Sequence, residues 1–260
     1  MKRKATLIIQ HLERIYTMVP PHFPCIEHGF LAIHHEEIIA LGEGEGWEHV
    51  DKDTRILEGR GHIAIPGMID VSMQLPCTYK LAKNTNMVHT YSELLRYTRE
   101  NCEVLMRHGT LVGNLDGTVS ETESKLVEQF YRPYDFDFLH KEISVRYPIV
   151  KPLVKEVKKC YQRFCISCGY GNVNCYDQFL CAKLYYRASG NAAMQVLAAC
   201  TIYPAMALGL PRVGSLAKGK LANILVMEGT DMEDVFHCFH GDERMHVIKE
   251  GTRIIPNVII

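Results

Sequence analysis

Hydrophobic and polar positions change period twice along this chain. Over residues 1–65 they alternate with period two in short segments. Leu7-Ile8-Ile9 opens one, Gly29-Phe-Leu-Ala-Ile33 another, and Glu37-Ile-Ile-Ala-Leu41 a third. Pro20-Pro21, Gly29 and Gly42-Glu-Gly-Glu-Gly46 break them, as turn residues do between half-buried strands. The segment predicts a small antiparallel β unit. Its acidic glycine loop reads as a solvated hairpin end: it lacks the lysine and helix of a phosphate cradle, and its carboxylates would repel phosphate.

From about 90 to 200 the period lengthens. Tyr91, Leu94, Leu95, Thr98, Cys102, Leu105 and Met106 fall on one helical face, which predicts a helix from Ser92 to Arg107 that ends at Gly109. Thr110 to Gly113 follows as a strand. A helix over Glu121 to Tyr131, a strand over Ile143 to Ile149, a helix over Lys151 to Gln162 and a strand over Phe164 to Ser167 come next. A segment rich in Tyr185 and Tyr186 and an alanine-rich run from Asn191 to Leu208 supply the last helices. Such alternation predicts parallel βα units. The tail returns to β at Ala222 to Met227 and Met245 to Lys249, with a tight turn at Glu250-Gly251. Two terminal β segments around one α/β insert pair most simply with each other.

Composition changes this picture little. Apolar residues are 47% and charged residues 23% of 260, enough to fill a core. A net charge of -1 gives no reason to expect nucleic acid or an anionic membrane as partner. The longest apolar run, Ile143 to Val154, is broken by Arg146, Pro148 and Lys151, far short of the roughly 20 residues that span a bilayer. The basic start, Met1 to Lys4, precedes an apolar stretch too short for an export signal, so a cytoplasmic protein is expected. Its ten cysteines then read as reduced, mostly buried side chains.

Three stretches resemble the metal-dependent amidohydrolase superfamily. Ile26-Glu-His-Gly29 to Ile38-Ile-Ala-Leu-Gly42 is similar to its opening strands. Ile63-Ala-Ile-Pro-Gly-Met-Ile-Asp70 matches its "hydrophobic-Pro-Gly-hydrophobic-Ile-Asp" entry into the first barrel strand. Ala199-Cys-Thr-Ile-Tyr-Pro-Ala205, Ala207 to Leu210, Gly214 to Lys220, Ala222 to Val226 and Val247 to Gly251 mirror its C-terminal phrases. Among subfamilies the chain most resembles the cyclic-amidohydrolase, imidazolonepropionase and adenine deaminase types. The resemblance implies an α/β fold: a (β/α) barrel of the TIM type beside a composite β-sandwich built by both termini. Residues 1–65 and 211–260 would form the sandwich and 66–210 the barrel. It also implies a site at the C-terminal strand ends. One or two metals there would activate water against a C–N bond, in a small cyclic amide or nucleobase-like ligand.

The resemblance breaks where the metal should be held. The family's His-x-His follows the Ile-Asp motif, but Ser72 and Gln74 stand in those places after Asp70. Hydroxyl and amide are weak ligands where imidazole is strong. The last barrel strand should deliver an aspartate, and Cys168 stands there. A thiolate can bind a metal but is not an equivalent proton acceptor. His108, before Gly109-Thr110, reads as a structural helix-end residue, while His89 and His140 read as surface or helix-end residues. Cys165-Ile-Ser-Cys168 has half of a zinc knuckle with no second half, and strand alternation would send the two thiols to opposite faces. His237 and His240 read as surface decoration.

Length agrees with a reduced barrel. About 135 residues lie between the two β segments, about four βα units at roughly 30 or more residues each, where a full barrel needs eight. The open side, with Leu111, Val112, Ile143, Val145, Ile149 and Ile166 as its apolar face, predicts a homodimer unless the tyrosine-rich helix covers it. The expected function is a catalytically degenerate amidohydrolase relative with a binding or assembly role and no metal. The alternative is an active metal-dependent hydrolase or deaminase with zinc or another divalent ion on a rearranged centre. That centre would use His140, Cys165, Cys168 or groups from a partner.

Overall fold

Strands from both ends of the chain are joined in one eight-stranded sheet. The structure, a computed structural model, describes residues 3–73, 90–115, 137–139, 141, 146–152, 157–168, 177–238 and 245–255. Strands β1 (Leu7–Tyr16), β2 (Cys25–His34) and β3 (Glu37–Glu43) form an antiparallel meander. The expectation of a wholly antiparallel unit fails at β4 (Arg55–Glu58) and β5 (His62–Pro66). Both run parallel to β1, one after the other along its other edge. The connection through residues 44–54 carries the chain across the sheet, so β4 returns in the direction of β1. A bulge at Gln10-His11 breaks the β1–β2 register, and His11 takes a left-handed φ of 56° there.

The tail completes this sheet. Strand β11 (Ile224–Glu228) lies between β5 and β12 (Met245–Lys249), antiparallel to both, and β13 (Thr252–Ile255) closes the edge. One apolar layer mixes the two ends of the chain: Ile9, Leu12, Ile15 and Ile33 pack with Leu216, Ile224, Val226 and Ile248.

At Pro66-Gly67 the chain passes directly from β5 into the α/β part. A Cβ on Gly67 would stand 2.5 Å from a Leu111 methyl, so the crossing requires glycine. Strand β6 (Met68–Met73) pairs in parallel with β7 (Thr110–Leu115), and β7 with β8 (Asp137–Leu139). Between β6 and β7 runs helix α1 (Tyr91–Arg107). It is opened by a capping box of Thr90 with Glu93 and buries Cys102, Leu105 and Met106. Tyr91 lies at the exposed end of the expected face. A second parallel pair joins β9 (Ile149–Val150) and β10 (Cys165–Ile166). Helices α2 (Gln178–Ser189), α3 (Ala193–Cys200), α4 (Ile202–Ala207) and α5 (Met232–His237) complete the described α-helices.

Several expectations need correction. The run from Asn191 to Leu208 is two helices, parted at Thr201 with φ -128° and ψ -83°. Pro204 explains the break: its ring would collide with the carbonyl four residues back, and it has no N–H to give it. Residues 157–162 are irregular rather than helical. Asn191 holds them as a loop, donating Nδ2–H to the Cys160 carbonyl at 2.7 Å and accepting from Cys160 N at 3.1 Å. Of the strand expected over 143–149, residues 146–148 form a turn, and pairing begins at Ile149. The helix over 121–131 lies outside the described residues. The anticipated apolar face also divides: Leu111 and Ile166 pack in one core with α1, α2 and α3, while Val112 and Ile149 pack in another with α4. No helix among the described residues is long and apolar enough to cross a membrane.

Candidate functional site

Asp70, Ser72 and Cys168 meet where β6 comes alongside β10. The two strands belong to separate sheets, and among the described residues side chains rather than a backbone ladder tie them. Asp70 is fully buried, and each carboxylate oxygen accepts a main-chain N–H: Oδ1 from Ser72 and Oδ2 from Cys168, both at 3.0 Å. Ser167 donates its Oγ–H to the Ser72 carbonyl at 2.8 Å. Burial pushes the Asp70 carboxyl above its ordinary range. Hydrogen bonds from Ser167, Cys168 and Ser72 oppose that shift without cancelling it.

Gln178, the first residue of α2, ties the same seam one step further along. Its Nε2 donates to the carbonyls of Ile69 at 2.8 Å and Ile166 at 2.9 Å, one on each strand. Its Oε1 accepts from the Thr110 hydroxyl at 3.2 Å, so a single amide connects β6, β7 and β10. On the other side of β6, Asn114 of β7 donates to the Val71 and Lys141 carbonyls, each at 3.1 Å, and accepts from Lys141 N at 2.9 Å. Asn114, Ser167 and Gln178 carry the architecture, and sequence reading did not single them out. The available signal was a polar side chain at an apolar-phase position, as with Gln178 ahead of Phe179, Cys181 and Ala182.

The thiols separate as strand alternation predicts: Cys168 packs in one core with Phe164 and Ile166, and Cys165 in another with Ile69, Val112 and α4. Cys165 and Cys168 are both buried, and both feel Asp70: Cys168 hydrogen-bonds to it, and its charge disfavours the Cys165 thiolate. Burial, with Asp70 second, pushes the Cys165 thiol up to about 12, and Cys200 rises well above its usual value for the same two reasons. Cys181 sits in the core with α2 rather than at the seam. His108 lies before the start of β7, at the opposite strand end from Ser72. It pairs there through Nδ1 with Asp177 Oδ2 at 3.2 Å, and Asp177 also caps α2 through Leu180 N. His237 is exposed at the end of α5, its ring against Tyr186. Gln74, His89, His140, Cys175 and His240 lie outside the described residues.

This donor set does not suit a divalent ion. Carboxylate oxygens that already accept main-chain N–H groups offer little to a cation. Among the described residues no group of three or more His, Cys, Asp or Glu side chains has metal-binding geometry. What the arrangement does chemically is join strands: an anionic or protonated Asp70 collects donors from β6 and from the end of β10.

The amidohydrolase family model matches residues 165–254, from the seam through β13. Over those residues, about a third of the chain, the sequence is similar to that family. Imidazolonepropionase of Streptococcus pyogenes serotype M4 is 25% identical over 152 residues, which cover 54% of this chain and 34% of that protein. The chain therefore matches about a third of the length of this curated relative. Among solved structures, a triazine hydrolase variant superposes with a TM-score of 0.74 at 12% identity, over 96% of this chain and 95% of that one. An atrazine chlorohydrolase from Arthrobacter aurescens TC1, complexed with zinc, gives 0.71 at 12% identity over 98% and 97%. An adenosine deaminase from Xanthomonas campestris with bound zinc gives 0.70 at 12% identity over 97% and 93%. At such identities the likeness is one of fold, an α/β architecture with mixed sheets.

Proposed function

We propose that this protein is a catalytically degenerate relative of amidohydrolases that act on C–N bonds, retained for binding or assembly in the cytoplasm. Its ligand would be a small cyclic amide or nucleobase-like molecule. The reading divides the chain into a composite β-sandwich of residues 1–65 and 211–260 and a shortened barrel of 66–210. It takes the molecule as a homodimer, since shortened barrel sheets leave strand edges to cover; light scattering at micromolar concentration reads that assembly.

One observation carries the proposal. Both oxygens of Asp70 are engaged by Ser72 N and Cys168 N, at the place where the family pattern would assemble metal ligands. Ser72 stands in one histidine position and Cys168 in the aspartate position, so the chain closes this seam on itself. Metal analysis tests the reading. Protein dialysed after exposure to zinc, manganese or iron should carry well under one equivalent by mass spectrometry. One or two retained equivalents would sink it and favour the active alternative, a zinc or other divalent centre using Cys165, Cys168 and His140 or a partner's groups.

A further inference from the structure

A cavity of about 650 Å³ opens at one end of the large sheet, far in sequence from the Asp70 seam. Its walls come from the start of β1 (Arg3, Thr6), the β2–β3 turn (His34 to Glu37), the start of β4 (Arg55) and the β12–β13 turn (Lys249 to Thr252). Glycine 251 apart, every lining side chain is polar or charged, which suits a hydrophilic ligand, and the volume is that of a small-molecule site.

The charges in it are unevenly committed. Glu37 pairs with Arg3 at 3.6 Å, Glu250 with the buried Lys249 at 2.8 Å, and Glu36 with Arg212 at 3.3 Å. Each lining carboxylate therefore already has its cation. Arg55 is exposed and has no ion pair among the described residues. An incoming anion meets one uncommitted guanidinium and no uncommitted carboxylate. Its planar fork matches the paired oxygens of carboxylate or phosphate.

The walls are also held rigidly. Arg55 N donates to the Thr6 carbonyl at 3.1 Å, and the Thr6 hydroxyl accepts from His35 N at 2.9 Å. His34 donates Nδ1–H to the Lys4 carbonyl at 2.7 Å, which fixes its tautomer, and its ring packs edge-on to His35 at 4.3 Å. His35 and Glu250 adopt left-handed φ values of 51° and 48° without being glycine. Such strain persists only where surrounding structure imposes it, and it gathers at ligand sites.

We propose that this cavity binds a small oxyanion, a carboxylate or a phosphate, with Arg55 as its anchor. Isothermal titration with inorganic phosphate, and separately with acetate, tests this and distinguishes the two oxyanions. At least one should bind saturably below about 10 mM, as expected for a single anchored small anion. Arg55→Gln should weaken that binding at least about tenfold by removing a charged hydrogen-bond donor, and Arg55→Lys should restore part of it. Lys52→Gln, at an exposed cation outside the cavity, should change nothing. Absence of saturable binding by either anion, unchanged affinity in Arg55→Gln, or an equal loss in Lys52→Gln would each overturn the proposal. The metal analysis reads a different site, so either reading can fail alone.

Discussion

Gln178 makes three buried hydrogen bonds with one amide, to carbonyls on two strands and to a hydroxyl on a third. A buried acceptor stripped of its donor loses about 1–3 kcal/mol, because water cannot replace the partner. Gln178→Leu should therefore destabilise the protein by about 2–4 kcal/mol in urea denaturation, and a loss under about 0.5 kcal/mol would mean that the seam is held by other contacts. Asp70 has a different signature, because burial raises its folded carboxyl above its unfolded value. The folded state then holds the proton more tightly than the unfolded chain. The resulting stabilisation is fully present below the ordinary carboxylate pKa and is lost as pH rises through the folded value. Melting temperatures followed upward from pH 4 should fall more in the parent protein than in Asp70→Asn, which cannot titrate. Parallel profiles for the two would show that Asp70 makes no such contribution.

Among the elements, the clearest constraint lies where two hairpin turns press together. Gly251, at φ 73°, donates its N–H to the Ala222 carbonyl, and a Cβ on it would stand 1.6 Å from the His35 carbonyl oxygen. Gly251→Ala must displace backbone as well as adopt a left-handed conformation. It should cost more than about 3 kcal/mol, whereas Gly44→Ala, left-handed but with open space around it, should cost about 1–2 kcal/mol. Equal melting temperatures for the two variants would refute this close packing. The Glu250-Gly251 turn was legible in the sequence, because a glycine in a tight turn has a local cause. So were α1, with its long apolar stripe, and the β5–β6 entry, with its Pro66-Gly67. The break at Thr201 was signalled by Pro204 but hidden inside an alanine-rich run whose helix propensity pointed the other way. The loop at 157–162 was illegible, because Asn191, some 30 residues on, fixes it. At the site, motif positions marked Asp70, Ser72 and Cys168. Their mutual hydrogen bonds depend on how β10 approaches β6, which no single-strand pattern encodes.

For the molecule as a whole, β11 decides whether the two ends can fold apart. It lies inside the large sheet, paired over five residues with β5 on one side and over four with β12 on the other. Removing residues 211–260 would leave β5 with an open edge and strip Leu216, Ile224, Val226 and Ile248 from the layer that covers Ile9, Leu12 and Ile33. Those four side chains, each nearly or fully buried, represent about 1.5–3 kcal/mol apiece of apolar burial, comparable in sum with the whole stability of an ordinary domain. The loss extends past the sheet. Leu225 packs in the same core as α1, α2 and α3, and the Tyr16 hydroxyl accepts from Met232 N at 2.9 Å. A chain ending at residue 210 should therefore lack a cooperative melting transition and expose apolar surface to a hydrophobic dye. The intact protein should unfold in one transition, with the same midpoint by circular dichroism and by Trp47 fluorescence. A shortened chain that melts cooperatively near the parent temperature would instead make the N-terminal strands and the α/β part a self-sufficient unit, with the tail docked on it.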